Sequence, residues 1–162
     1  MPKARKLGHI VLNVSDLEAS RDFYCTALGL QVVAESAPGK IVFLSLGEQH
    51  HDLALVQRAS GPADPARSGL VHMAWEVEDF PTLQSAWREL LAAGIEPEPI
   101  QHNVTNSLYM RDPDGNLVEL YCDRWGDKGR EVMRTQGPQR KSLDMATGEA
   151  VGEAQELLKA KV

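Results

Sequence analysis

The apolar residues of this chain fall into two runs of the same design. In the first, Ile10, Leu12 and Val14 alternate with His9, Val11 and Asn13, the period-two pattern of a strand with one apolar face. In the second, Val71, Met73, Trp75 and Val77 stand opposite His72, Ala74 and Glu76. Both histidines therefore lie on the less apolar face of their strand. Setting His9 against His72 lays HIVLNVSDLEASRDFYCTALGL over HMAWEVEDFPTLQSAWRELLAAGI, with Asp16 and Asp79 each seven residues after the histidine. A repeat at a 63-residue offset means two copies of one module.

A helix follows each opening strand. Ser15 with Glu18 reads as a capping box, and Leu17, Ser20, Tyr24 and Leu28 form a core-facing stripe that stops at Gly29. In the second copy Asp79 caps, Pro81 sits in the tolerant first turn, and Leu83, Trp87, Leu90 and Leu91 face inward before Gly94. Three strands are predicted to complete each copy, over 31–35, 41–46 and 51–57, then over 96–101, 107–111 and 117–122. The run Asp112-Pro113-Asp114-Gly115-Asn116 is a hairpin signal, and 59–68, with Gly61, Pro62 and Pro65, is a linker. Trp75, Trp87 and Phe23 fall on the covered face and are expected in the core.

The expected fold is α+β, with two βαβββ modules over about 6–58 and 69–122 forming a half-cup mixed sheet whose helices lie on the convex face. These modules make one domain over 1–124. Residues 125–162 are a polar extension without the same periodicity, ending in EAVGEAQELLKAKV, where Val151, Ala154, Leu157 and Leu158 suit a short amphipathic helix. Such a tail is expected to dock on the core or on a partner subunit of a homo-oligomer.

Composition narrows the functional classes. With 162 residues, 43% hydrophobic and 25% charged, the chain is sized for one domain. Its 17 basic and 23 acidic residues give a net charge of -6, which argues against a nucleic-acid partner. No apolar run reaches the roughly 18 residues of a membrane span, and MPKARKLGHI lacks the apolar core of a signal peptide, so a cytoplasmic location is expected. Cys25 and Cys122 are then two reduced thiols rather than a disulfide.

His9, His72 and Glu119 carry the candidate chemistry. One histidine on a strand is most often a packing or surface residue, but here two occupy the same place in two repeats. Glu119 interrupts the apolar strand LVELY, where an uncompensated acid would cost several kcal/mol. Two imidazoles and one carboxylate make the facial triad that holds Fe(II) and leaves positions open for substrate and dioxygen.

The chain resembles the vicinal oxygen chelate superfamily, which includes glyoxalase I, the fosfomycin and bleomycin resistance proteins and the type I extradiol dioxygenases. LGHIVLNVSDLEASRDFYCTALGL is similar to its opening strand and helix, and SLYMRDPDGNLVELYCDR to its closing hairpin. The small catechol 2,3-dioxygenase-like members are the nearest in motif. A glyoxalase-like site needs a carboxylate near the middle of strand 51–57, where this chain has Ala54 and Leu55. QHHDLAL resembles the extradiol histidine strand, and HNVTNSLYMRDPDGNLVELY the last strand pair, although Asn103 stands where members usually carry Gly.

This resemblance implies His9, His72 and Glu119 as ligands of Fe(II), with Mn(II) as the alternative metal. It implies His51 as an acid–base imidazole and gives Tyr109 and His102 substrate-facing roles. Alternation alone does not choose between the neighbours, since His51 shares a face with Leu53 and Leu55, and His50 with Asp52 and Ala54. The expected reaction is extradiol cleavage of a catecholic substrate by dioxygen; intradiol sites use tyrosinate ligands, and neither histidine-bearing strand contains a tyrosine. Two other readings stand: a Mn(II)-dependent thiol transferase of the fosfomycin-resistance type, and a non-enzymatic drug-binding protein.

Overall fold

The computed structural model describes residues 6–36, 40–57 and 70–154. They form two compact units, each with its own mixed sheet. The predicted linker 59–68 lies outside the described residues, as do Leu157 and Leu158. Among the described residues no helix is long and apolar enough to cross a membrane, and Cys25 and Cys122 are free thiols.

The first unit runs β1 (Ile10–Val14), α1 (Leu17–Leu28), β2 (Gln31–Glu35), β3 (Ile41–Ser45) and β4 (Leu53–Gln57). Its sheet order is β1-β4-β3-β2, with β1 parallel to β4 and the other pairs antiparallel. This is one βαβββ module. The alternation read in the sequence is kept, for Leu12 and Val14 are buried while Val11 and Asn13 are exposed.

α1 starts one residue later than the capping box implies. The N-cap is Asp16, whose carboxylate accepts from the Ala19 amide at 3.0 Å. Ser15 is engaged elsewhere: its amide donates to Asp114 at 3.1 Å, and its hydroxyl also donates to that carboxylate. The stripe on α1 is Leu17, Ser20, Tyr24 and Ala27, with Gly29 left-handed at the C-cap. The turn Asp112–Gly115 belongs to this unit. Within it the Tyr24 hydroxyl donates to Asp112 at 2.8 Å and Ser20 lies against Asp114, so two buried carboxylates are satisfied by hydroxyls of a buried helix face.

The second unit contains β5 (His72–Glu76), α2 (Phe80–Ala92), β6 (Glu98–His102), β7 (Thr105–Arg111), β8 (Leu117–Asp123), a 3-10 turn (Gly126–Lys128), α3 (Gly129–Gln136), β9 (Arg140–Leu143) and β10 (Ala150–Glu153). The sheet order is β10-β9-β6-β7-β8-β5, with β5 parallel to β8. Its first part is the second βαβββ module. Asp79 is the helix cap, accepting from the Thr82 amide at 2.9 Å, and the repeat therefore keeps its two aspartates in one structural role. Leu83 and Leu90 are the buried residues of α2, whereas Leu91 is exposed. Trp75, Trp87 and Phe23, expected in the core, are only half-buried.

Residues 126–153 are more structured than their polar composition implies. β9 pairs antiparallel with β6, matching Ile100 to Ser142 and His102 to Arg140, and β10 pairs with β9. The stretch read as the start of a terminal helix is thus a strand at Ala150–Glu153, because the neighbouring edge supplies backbone partners that a periodicity search does not see. Leu143 and Met145 are buried, the Gln84 amide donates to the Met145 carbonyl at 2.6 Å, and Gln101 donates to the Gly148 carbonyl at 3.0 Å. At Gly148, with φ of 78°, a Cβ would stand 2.9 Å from Cε1 of Phe80, so only glycine allows this close approach.

Tyr24→Phe is expected to cost about 1–3 kcal/mol in urea unfolding at pH 7, because Asp112 loses a donor inside the unit. Burial, then the Asp112 charge and hydrogen bond, raise the Tyr24 hydroxyl well above the usual tyrosine range. Folding thus favours the protonated phenol. That contribution is complete below about pH 10 and is lost as pH rises beyond it, so the difference between wild type and variant is expected to shrink above about pH 10.

Candidate active site

The sheet of the second unit sets its polar groups by register. β5, β8 and β7 are neighbours, and Ala74, Glu119 and Tyr109 lie side by side across them. With a period of two, Glu119, Tyr121 and Asp123 share one face of β8, and Tyr109, Ser107 and Thr105 the matching face of β7. Glu119 is 6% exposed and Tyr109 also 6%, so a carboxylate and a phenol lie nearly dry on one row. The His72 Nε2 atom reaches the Glu119 Oε2 atom at 3.1 Å. His72 also stands edge-on to Tyr109, their ring centroids 5.8 Å apart.

Tyr109 is hydrogen-bonded to Glu119, and its hydroxyl lies 3.0 Å from the His102 Nε2 atom. Burial, then the charge and hydrogen bond of Glu119, push the phenol above its usual range, so it is a proton donor at neutral pH. His102 ends β6, and its Nδ1 atom lies 2.9 Å from the Gln139 carbonyl. A carbonyl can only accept, so Nδ1 carries the proton. In the neutral ring Nε2 is then an acceptor, as is the Glu119 carboxylate, so the single Tyr109 hydroxyl proton serves one of the two at a time. The tautomer of His102 is set by a backbone atom of the extension.

Asn103 is the link to that segment. It is buried, its side-chain amide donates to the Gly137 carbonyl, and its own carbonyl accepts from the Trp125 indole at 2.7 Å and from Arg124 at 3.2 Å. A glycine here would lack the first of these bonds. A cavity of about 480 Å³ lies over this face, lined by Glu119, Tyr109, His102 and Ala74 and, from the extension, by Met133 and Pro138 among others. That volume is within the range of small-molecule sites.

The first unit holds the other predicted residues. His9 precedes β1, and the amide of Ile10 donates to the Asp52 carbonyl at 3.0 Å, which places the start of β1 beside the loop before β4. His51 lies in that loop rather than in a strand, since β4 begins at Leu53. Its ring centroid is 4.4 Å from His9 and 5.1 Å from Phe43; that of His50 is 6.4 Å from His9. The two neighbouring Nδ1 atoms are 2.6 Å apart, so one of them carries the shared proton. Partial burial, with the charges that His50 and His9 would carry, lowers the His51 value and keeps the imidazole a neutral proton acceptor.

Asp52 holds the loop. It accepts from the Leu46 amide at 2.8 Å, from Gln49 at 2.7 Å and from Ser45 at 3.1 Å. Burial alone would raise this carboxyl, but those hydrogen bonds outweigh it and hold the group below the usual aspartate value.

The structure thus gathers His9, His50 and His51 in one unit, and His72, His102, Tyr109 and Glu119 in the other. Among the described residues no three His, Cys, Asp or Glu side chains are grouped closely enough to hold a metal ion as they stand. Asn103, Gln139 and Met133 were not singled out as site residues by sequence reasoning. Asn103 departs from the usual Gly and was the available signal; Gln139 acts through its backbone and gives none.

A family model described as the Glyoxalase/Bleomycin resistance protein/Dioxygenase superfamily matches residues 6–120. The biphenyl-2,3-diol 1,2-dioxygenase 2 of Rhodococcus globerulus is 39% identical over 142 residues, covering 86% of this chain and 74% of that protein. The biphenyl-2,3-diol 1,2-dioxygenase 3 of the same organism is 40% identical over 124 residues, and the match covers 74% of this chain but 64% of that relative's length. Among solved structures, a glyoxalase/dioxygenase from Nostoc punctiforme matches with a TM-score of 0.63 at 28% identity, over 74% of this chain and 92% of that one.

Asn103→Gly is expected to loosen the extension without unfolding the sheet. Loss of one buried hydrogen bond is worth about 1 kcal/mol, or roughly fivefold faster amide exchange over residues 129–139. Hydrogen-exchange mass spectrometry checks this; unchanged protection there would show that Asn103 is not the tether.

Proposed function

Because the chain belongs to the Glyoxalase/Bleomycin resistance protein/Dioxygenase superfamily, we propose that it is an Fe(II)-dependent extradiol dioxygenase that opens a catecholic ring with dioxygen. The observation that carries this reading is the buried Glu119 carboxylate, paired with His72 at 3.1 Å and facing the cavity beside Tyr109. The residues fit a divalent iron. A nearly dry carboxylate gains from a cation, and neutral imidazoles with one carboxylate are the donor set of non-haem Fe(II). His72 and Glu119 would hold the metal, with His9 as the third ligand. Bound there, iron would supply open positions for the diol and dioxygen and the redox chemistry that joins them.

The remaining groups act on protons. Tyr109, protonated at neutral pH, turns its single hydroxyl proton to a substrate oxygen in place of Glu119 or His102. His51, a neutral imidazole, takes a proton from the diol and returns it later in the reaction. The carbon–carbon bond broken is the one beside the diol, and both oxygen atoms enter the product, a hydroxymuconic semialdehyde. The names of the Rhodococcus relatives support the reaction class.

The test is anaerobic loading with iron, then addition of catechols in air. Oxygen uptake with a yellow ring-fission product is expected; a colourless muconic diacid, or no uptake with any catechol, would overturn the reading. Alanine at His9, His72 or Glu119 is expected to abolish iron retention. His51→Gln is expected to keep iron yet lose about 10²–10⁴ in turnover.

A further inference from the structure

The cavity of the second unit has two ends. Glu119 and Asp123 are four residues apart on one face of β8, which at roughly 3.3 Å per residue separates them by about 13 Å. β7 repeats the span, with Tyr109 opposite Glu119 and Thr105 opposite Asp123. A single ring has para carbons three bonds and only about 3 Å apart, so it cannot occupy both ends at once.

The far end is built by α3. Gly129 lies where a Cβ would be 3.5 Å from the Asp123 Oδ1 atom, and Met133, four residues on, shares its helix face. Both line the cavity, as do Val104 and Pro138. Met133 is 42% exposed, and in α3 only Gly129 is buried, so the methionine is turned to the cavity rather than spent on the core. A flexible, polarisable side chain in that place adapts to an apolar group. The superfamily model stops at residue 120, ahead of this wall, whereas the match to the Rhodococcus dioxygenase 2 covers 86% of the chain and so runs past that point.

We infer that α3, through Met133, sets which apolar ring substituent the cavity admits. This inference rests on the catechol reading above for its ligand, but concerns the other end of the cavity. With the diol at Glu119 and Tyr109, the substituent extends along β8 towards Thr105 and meets Val104, Met133 and Pro138. Met133 is a specificity-determining residue and takes no part in proton transfer.

The experiment compares wild type, Met133→Ala and Met133→Trp with catechol, 3-phenylcatechol and 4-phenylcatechol. It measures Kd by anaerobic calorimetry on the purified protein and kcat/KM in air, with circular dichroism to confirm folding. Met133→Trp is expected to lower the phenylcatechol-to-catechol ratio of Kd-derived affinity and of kcat/KM by at least about tenfold, the scale of a change of one or more carbons in an apolar pocket, and Met133→Ala to shift it by less. An unchanged ratio in a folded Met133→Trp protein would overturn the inference, even with every catechol cleaved. If wild type cleaves no catechol yet binds phenylcatechol in a Met133-dependent way, the wall stands and the dioxygenase reading falls. If it neither binds nor cleaves any of the three, both fall.

Discussion

The second unit is organised around a carboxylate held almost dry on an inner strand. Glu119 costs several kcal/mol where it stands unless its charge is answered, and the answers are local: His72 across the β5–β8 pair and Tyr109 across the β7–β8 pair. Those partners are in turn fixed by the sheet register, so a one-residue slip of either strand would strand the acid among apolar side chains. The apolar burial of Val118 and Leu120 on either side, facing the opposite way, pins that register.

Each unit solves the same problem of positioning by the same device. A parallel contact between the first and last strand of the module, β1 with β4 and β5 with β8, brings a residue beside the opening histidine from far along the chain. In the first unit that neighbour is the loop bearing His50 and His51, fixed by Asp52; in the second it is Glu119. The repeat is thus of architecture, while the chemistry differs between the copies.

Much of this was legible in the residues. The alternation around His9 and His72, the paired aspartates and the first eight strands follow from side-chain periodicity, and the core stripes of α1 and α2 hold except at Leu28, whose place Ala27 takes, and at Trp87 and Leu91. The helix start was misplaced by one residue because Ser15, which looks like a cap, binds Asp114 in a turn 99 positions away. The extension was misjudged for a similar reason. Arg140–Leu143 has no apolar alternation, and its strand exists because the β6 edge offers hydrogen bonds to it. Local pattern reports what a segment buries, not what backbone partner it finds. The choice of His51 over His50 rests on resemblance, which periodicity cannot supply.

The Gln139 carbonyl that fixes the His102 ring comes late in the chain. Chains are made from the N-terminus, and domains fold as their residues emerge. His9, His72 and Glu119 are all synthesised before the segment that orients His102 and walls the cavity. A chain that stops short of Gln139 therefore carries every proposed metal donor while nothing fixes the His102 ring or which of its nitrogens holds the proton. Truncation ahead of Gln139 would thereby separate the residues proposed to take up metal from the one backbone atom that fixes His102.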